Sequence, residues 1–70
     1  MLTMKELTER AFALGVQAAE RNESRAPALN EEFMTMMQDN RGADWTPPLQ
    51  AFARGYQSRI DAHSNTGDPQ

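Results

Sequence analysis

The sequence contains no cysteine and only one histidine, and it has no long apolar run. Without cysteine the chain forms neither a disulfide nor a thiolate metal site, and His63 has no companion ligands at the spacing of a zinc site. We therefore expect no metal and no cofactor. No segment approaches the roughly 18 apolar residues that span a bilayer. The N-terminus lacks the basic region and apolar block of a signal peptide, so we expect a cytoplasmic protein without a membrane partner.

Motifs of catalysis are also missing from the sequence. It has no glycine-rich phosphate loop, no nucleophile elbow and no HExxH pair. The remaining candidate acids and bases include His63, which lies beside a polar C-terminal segment that is a poor place to fix a catalytic group. We expect that the chain is not an enzyme.

The length of 70 residues allows one small domain. We expect this domain over residues 1–63 and a disordered polar tail over residues 64–70. A core of this size contributes about 3–5 kcal/mol and usually needs an additional staple. Because disulfides and metals are excluded, a homodimer is the expected staple.

The net charge of −3 argues against unaided binding to nucleic-acid phosphates. The excess acidity is concentrated in the middle of the chain, where one arginine, Arg41, stands against four carboxylates: Glu31, Glu32, Asp39 and Asp44. The connection from Asn40 to Thr46 is too long for a usual helix-turn-helix, so we do not expect DNA recognition.

Apolar spacing predicts a first helix over about residues 3–21. Thr3 and Glu6 have the spacing of a capping box, and Asn22 suits the left-handed cap at the other end. The apolar arc of this helix covers about half of its circumference, which is wider than the usual ~100° stripe. One part of the arc therefore suits the core and another part suits a partner.

Two further helices are predicted. The second, over about residues 28–39, has Asn30 as its cap, with Leu29, Phe33, Met36 and Met37 on one face and Met34 off that face. The third, over about residues 47–62, has Thr46 as its cap and Pro47 at its first position. Its apolar stripe consists of Leu49, Phe52, Ala53, Tyr56 and Ile60.

A short glycine-containing pattern occurs in the first helix and again in the third. The two segments are Glu9–Ala18 and Ala51–Gln57, and their glycines are Gly15 and Gly55. Glycine inside a helix costs roughly 1 kcal/mol relative to alanine, so its use here indicates close approach of another backbone. We predict an all-α three-helix domain. Its two amphipathic helices pack antiparallel with Gly15 and Gly55 at their contact, and a short acidic helix bridges them.

Both segments resemble the ribosome modulation factor family of small bacterial and phage-borne proteins. The first resembles the opening helix and turn of that family through Glu9–Ala11, Gly15, Gln17–Ala18, Ser24 and Pro27, with Asn22 in place of a glycine. The second, Phe52–Tyr56, resembles an aromatic-x-x-Gly-aromatic motif. The likeness covers about thirty of the 70 residues. It implies a helical fold and binding to the small ribosomal subunit that silences translation, although this chain is acidic where ribosome-binding members are basic.

The expected function is therefore non-catalytic: a small helical modulator that binds and inhibits or adjusts a larger host or phage protein machine. The predicted contact set is Phe12, Val16, Met34, Arg54, Tyr56, Glu31 and Glu32. One alternative is a ribosome-associated factor that meets rRNA phosphates through Arg21, Arg25, Arg54 and Arg59. Another is acidic mimicry of nucleic acid by the carboxylates of the middle segment.

Overall fold

The computed structural model of the chain describes residues 2–66, with side chains for residues 2–62. Helix α1 spans Met4–Glu20, a 3₁₀ turn spans Pro27–Leu29, α2 spans Glu31–Asp39 and α3 spans Thr46–Thr66. No strand occurs among the described residues. The prediction of an all-α three-helix domain is confirmed.

Helix α1 begins and ends as its sequence predicts. The Thr3 hydroxyl accepts the backbone N–H of Glu6 at 3.2 Å, and the Glu6 carboxylate accepts the backbone N–H of Thr3 at 2.9 Å. At the other end Asn22 has φ +60°, and Glu23 N–H donates to the Ala18 carbonyl at 2.8 Å. This 6→1 bond is part of the Schellman motif that closes many helices.

Helix α2 begins after Leu29, not before it. The Asn30 side chain accepts the backbone N–H of Phe33 at 2.8 Å, which confirms Asn30 as the cap. Leu29 therefore belongs to the preceding 3₁₀ turn, and its side chain is 74% exposed. Its predicted place on the buried face of α2 was wrong. Met34, predicted off that face, is half-buried and packs against the core.

Helix α3 starts one residue earlier than predicted. Thr46 is its first residue, so it does not cap the helix; the Asp44 carboxylate accepts the Thr46 N–H at 2.9 Å, and the Trp45 carbonyl accepts the Leu49 N–H at 2.9 Å. The helix runs to Thr66, beyond the end predicted near residue 62. Residues 67–70 of the predicted tail lie outside the described residues.

The core lies between α2 and the pair formed by α1 and α3. Its largest fully buried side chains include Phe33, Phe52, Leu7 and Met37. The Phe33 ring meets the Phe52 ring edge to face, with centroids 5.5 Å apart, and meets Trp45 at 6.2 Å. Helix α2 thus covers one side of the α1/α3 pair and joins it to the start of α3.

Helices α1 and α3 run in the same direction, and the antiparallel arrangement predicted from the sequence was wrong. Near their C-terminal ends Arg59 Nε lies 3.8 Å from Glu20 Oε2, which antiparallel helices crossing at their glycines would hold too far apart. The Leu2 N–H donates to Asn40 Oδ1 at 2.8 Å and ties the start of α1 to the end of α2. The physical reason is that α2, about 13 Å long at 1.5 Å per residue, returns the chain to the end where α1 began.

The two glycines lie where α1 and α3 cross. A Cβ atom on Gly15 would lie 2.9 Å from Tyr56 N and 3.0 Å from Phe52 C. A Cβ atom on Gly55 would lie 3.0 Å from Phe12 C and 3.2 Å from Phe12 Cα. In both cases the neighbour is backbone, so only a residue without a side chain fits.

Candidate protein-binding surface

The crossing of α1 and α3 is built from two copies of one segment. Ala11-Phe12-Ala13-Leu14-Gly15 aligns with Ala51-Phe52-Ala53-Arg54-Gly55, each residue 40 positions after its counterpart. Gly15 contacts the backbone at Phe52, and Gly55 contacts the backbone at Phe12. Because these contacts are reciprocal in parallel helices, the α1/α3 pair has a local two-fold relation. The two phenylalanines consequently point to opposite sides of the pair.

Helix α2 covers only one of these two sides. Phe52 is 0% exposed beneath Phe33 of α2, whereas Phe12 is 40% exposed. The side of α1 that faces α2 carries Arg10 and Leu14, which line a groove with Met36. At 100° per residue Phe12 lies more than a quarter turn from that groove.

A ridge of apolar side chains remains exposed along the outer edge of α3. We call it the α3 ridge; its members are Leu49, Ala53, Tyr56 and Ile60, at positions i, i+4, i+7 and i+11. Leu49 is 37% exposed, Ala53 is exposed, and Tyr56 and Ile60 are half-buried. The ridge is about 16 Å long at 1.5 Å per residue and contains no charged side chain.

Trp45 lies one turn before Leu49, at the start of the α3 ridge, and its carbonyl accepts the Leu49 N–H. On α2, Met36 lies on the side that faces α1, and Met34 lies on the other side of the buried Phe33. Met34 and Trp45 are both half-buried and pack against the core. Methionine and aromatic side chains are enriched in the centres of protein interfaces, and charged residues are depleted there. These residue types make the surface a candidate for protein binding.

Tyr56 is held in place at the middle of this surface. Its hydroxyl donates to the Glu23 carbonyl at 2.5 Å, and the guanidinium carbon of Arg25 lies 5.4 Å from the ring centroid. Arg25 also donates to Gln57 Oε1 at 3.2 Å. A side chain fixed in this way loses little conformational freedom when a partner binds.

The predicted contact set does not form one surface. Tyr56 belongs to the α3 ridge, and Met34 is half-buried on α2. Phe12 and Val16 lie on the side of the α1/α3 pair away from α2, and Arg54 points to the same side, because it is about 160° from Phe52 around α3. Glu31 and Glu32 are exposed at the start of α2.

The arginines of the rRNA alternative are mostly engaged within the chain. Arg21 Nη1 lies 3.5 Å from Glu32 Oε1, Arg59 pairs with Glu20, and Arg25 contacts Tyr56 and Gln57. All of these contacts are exposed and are individually weak. Arg21 and Arg59 are therefore paired with carboxylates, whereas the contacts of Arg25 are with uncharged groups.

Three of the four carboxylates of the mimicry alternative share one groove. Glu31, Glu32 and Asp39 line a shallow groove of about 620 Å³ between α1 and α2, and Arg10 lines it with them. Glu32 also pairs with Arg21, and Asp44, which does not line the groove, binds the Thr46 N–H. Arginine therefore offsets part of the acidic charge of this groove.

Leu49, Ala53 and Ile60 were not predicted as site residues, because the sequence placed them in one stripe with the core residue Phe52. The signal that separates them is angle: at 100° per residue, the ridge residues lie about 40–100° from Phe52 around α3, all on the same side of it. The width of an apolar stripe around a helix, compared with the width that one covering helix can bury, identifies its exposed part.

Chemical sites of other kinds are not evident in the described residues. They contain no group of three or more histidine, aspartate or glutamate side chains placed to hold a metal ion. Within the same part of the chain, no helix combines the length and the apolarity needed to cross a membrane. The side chain of His63 lies outside the described ones.

Comparisons with protein-family models, with curated proteins and with solved structures found no match. The resemblance to the ribosome modulation factor family stays a prediction from two short segments.

Proposed function

We propose that this protein is a non-catalytic helical modulator that binds a larger protein of the host or of a phage through the α3 ridge, and so inhibits or adjusts that protein. The observation that supports this is the apolar ridge itself, in which Leu49 is 37% exposed, Ala53 is exposed, and Tyr56 is half-buried with Arg25 against its ring. Ordinary surface helices carry their apolar residues on the buried side.

The shape of the surface indicates how the partner is recognised. Side chains at i, i+4, i+7 and i+11 form a nearly straight row on a helix, which is the pattern read by a hydrophobic groove. The partner therefore presents an apolar groove long enough for about three helical turns. Tyr56 and Trp45 are the residue types that most often dominate binding energy at such contacts.

A matched pair of variants tests this proposal. Ala53→Arg places a charge on the ridge, and Ala13→Arg makes the same substitution at the equivalent exposed position of the repeat in α1. Tagged proteins are used to capture partners from a bacterial lysate, with mass spectrometry as the readout. We expect one partner to be captured by the wild type and by Ala13→Arg, and to be reduced about tenfold or more by Ala53→Arg, since 1.4 kcal/mol is a tenfold change.

Equal capture by both variants would contradict a role of the ridge. The same experiment at low and raised salt examines the ribosome alternative. Small-subunit ribosomal proteins that are captured at low salt, lost at raised salt and lost in Arg54→Glu/Arg59→Glu would support rRNA binding, because phosphate contacts weaken steeply with salt.

A further inference from the structure

The middle of the α3 ridge is crossed by a side chain from another part of the chain. Arg25 belongs to the connection between α1 and α2, and its guanidinium contacts both the Tyr56 ring and Gln57 Oε1. At 100° per residue, the line from Ala53 to Ile60 runs along the middle of the ridge. Tyr56 lies about 50° to one side of this line and Gln57 about 50° to the other. The arginine that reaches both residues therefore lies across the ridge.

The contacts that hold Arg25 over the ridge are weak. Arg25 is exposed, and a cation–π contact or a hydrogen bond at an exposed site contributes little to stability. Among the described side chains, Arg25 forms no ion pair with a carboxylate. Tyr56 is held independently, because its hydroxyl donates to the Glu23 carbonyl. The guanidinium can therefore leave the ring while Tyr56 keeps its place in the ridge.

A charge in this position opposes burial of the ridge. The proposed partner takes up the ridge in an apolar groove, and an arginine that entered the groove unpaired would lose its hydration without compensation. Arg25 therefore has to leave the Tyr56 ring before the groove closes over it. The chain offers a carboxylate for this movement: Asp61 Oδ1 accepts a hydrogen bond from Gln57 Nε2 at 2.9 Å. Asp61 lies about 40° further from the ridge than Gln57, so an arginine paired with it leaves the ridge uncovered.

We propose that Arg25 is an autoinhibitory cover of the α3 ridge, which lies over Tyr56 in the free protein and moves toward Asp61 when the partner binds. This inference rests on the proposed function, because the cover regulates the same surface. One weak cation–π contact lowers the availability of the ridge only about two- to fivefold. A groove that matches the whole ridge displaces such a cover, whereas an unrelated apolar surface gains less from doing so.

Nile red, an uncharged dye whose fluorescence rises in apolar surroundings, tests the cover without the partner. We expect Arg25→Ala to bind the dye about two- to fivefold more tightly than the wild type, and Arg25→Lys, which keeps a cation, to stay close to the wild type. Arg41→Ala, the same substitution at an exposed position of the connection between α2 and α3, should leave dye binding unchanged. In Arg25→Ala/Ala53→Arg the gain should disappear, because the new arginine places a charge on the ridge again.

Equal dye binding by the wild type and Arg25→Ala would overturn the proposal, and so would a gain that persists in the double variant with Ala53→Arg. Circular dichroism of each variant separates an uncovered ridge from a partly unfolded protein. The proposed function fails separately, when Ala53→Arg and Ala13→Arg capture the same proteins, whatever the dye shows. Where a partner depends on the ridge, Arg25→Ala should capture more of it, and equal or reduced capture would contradict the cover.

Discussion

At the scale of single residues, the contact between α1 and α3 depends on the absence of a side chain at Gly15 and Gly55. The space beside Gly15 is filled by backbone atoms of Phe52 and Tyr56, and the space beside Gly55 by backbone atoms of Phe12. A flexible side chain can move aside for an added methyl group, but the backbone of a packed helix cannot do so without shifting the whole helix. The usual stabilising effect of alanine in a helix is therefore reversed here.

We expect Gly15→Ala to destabilise the protein. Alanine gains roughly 1 kcal/mol over glycine in helix propensity, but overpacking against a backbone costs about 1–3 kcal/mol or more. The expected result is a lower Tm, by several degrees for a domain of this size. Thermal unfolding followed by circular dichroism measures it.

The control is Ser58→Ala, an exposed position of α3 that already carries a Cβ atom, so that alanine adds no bulk. It should leave the Tm unchanged or raise it slightly. A Gly15→Ala protein as stable as the wild type would show that the helices separate at little cost.

At the scale of the helices, the ends of α1 and α2 were predictable and the start of α3 was only partly so. A cap such as Thr3 or Asn30 acts on amides two or three residues away, so its signal is contained in the local sequence. At α3 the predicted cap, Thr46, is instead the first helical residue, and the Asp44 carboxylate accepts its N–H. Leu29 was misplaced for a different reason: Asn30 was correctly predicted as the cap, but a residue that precedes the cap lies outside the helix.

The contribution of the first helix to the stability of the protein depends on pH. The hydrogen bond from the Thr3 backbone, followed by that from the Thr3 hydroxyl, lowers the pKa of Glu6 below its ordinary value of 4.5. A carboxyl group with a lowered pKa stabilises the folded state above that ordinary value, and this contribution is lost as the pH falls through the lowered pKa. Glu6→Gln removes the charge and with it the pH dependence.

We expect the wild type to have a higher Tm than Glu6→Gln at neutral pH, and the two values to converge in acid, below the lowered pKa. Thermal unfolding of both proteins across this range measures the difference. Glu9→Gln, on the same helix but outside the cap, serves as the control. A wild-type advantage that persists unchanged in acid would contradict the role of the Glu6 carboxylate.

At the scale of the whole molecule, α2 divides the surface of the α1/α3 pair into a covered side and an open side. Hydrophobic periodicity shows which residues share a face of one helix, and it correctly grouped the apolar positions of α3. It does not show how the faces of different helices combine, because that depends on the path of α2. The predicted contact set was split over the molecule, and the direction of α3 was wrong, for this one reason.

Alanine substitutions of the two equivalent phenylalanines test whether the covered side is packed more tightly than the open side. We expect Phe52→Ala to cost about 3–5 kcal/mol, as removal of a fully buried ring does, which is enough to unfold much of a domain this small. Phe12→Ala should cost far less, because Phe12 is 40% exposed. Urea unfolding at low micromolar concentration compares them. Similar losses of stability would mean that the open side is packed as tightly as the covered one.

The backbone contact at Gly15 and Gly55 also limits how this protein can change over generations. When a side chain grows inside an ordinary core, a neighbouring side chain can shrink, and a second mutation then repairs the first. Here the neighbours are the main-chain atoms of Phe52, Tyr56 and Phe12, which keep the same size whatever residue occupies the position. A destabilising substitution at either glycine therefore cannot be compensated by a smaller side chain at the residues it contacts. Reversion to glycine is the direct way to restore stability.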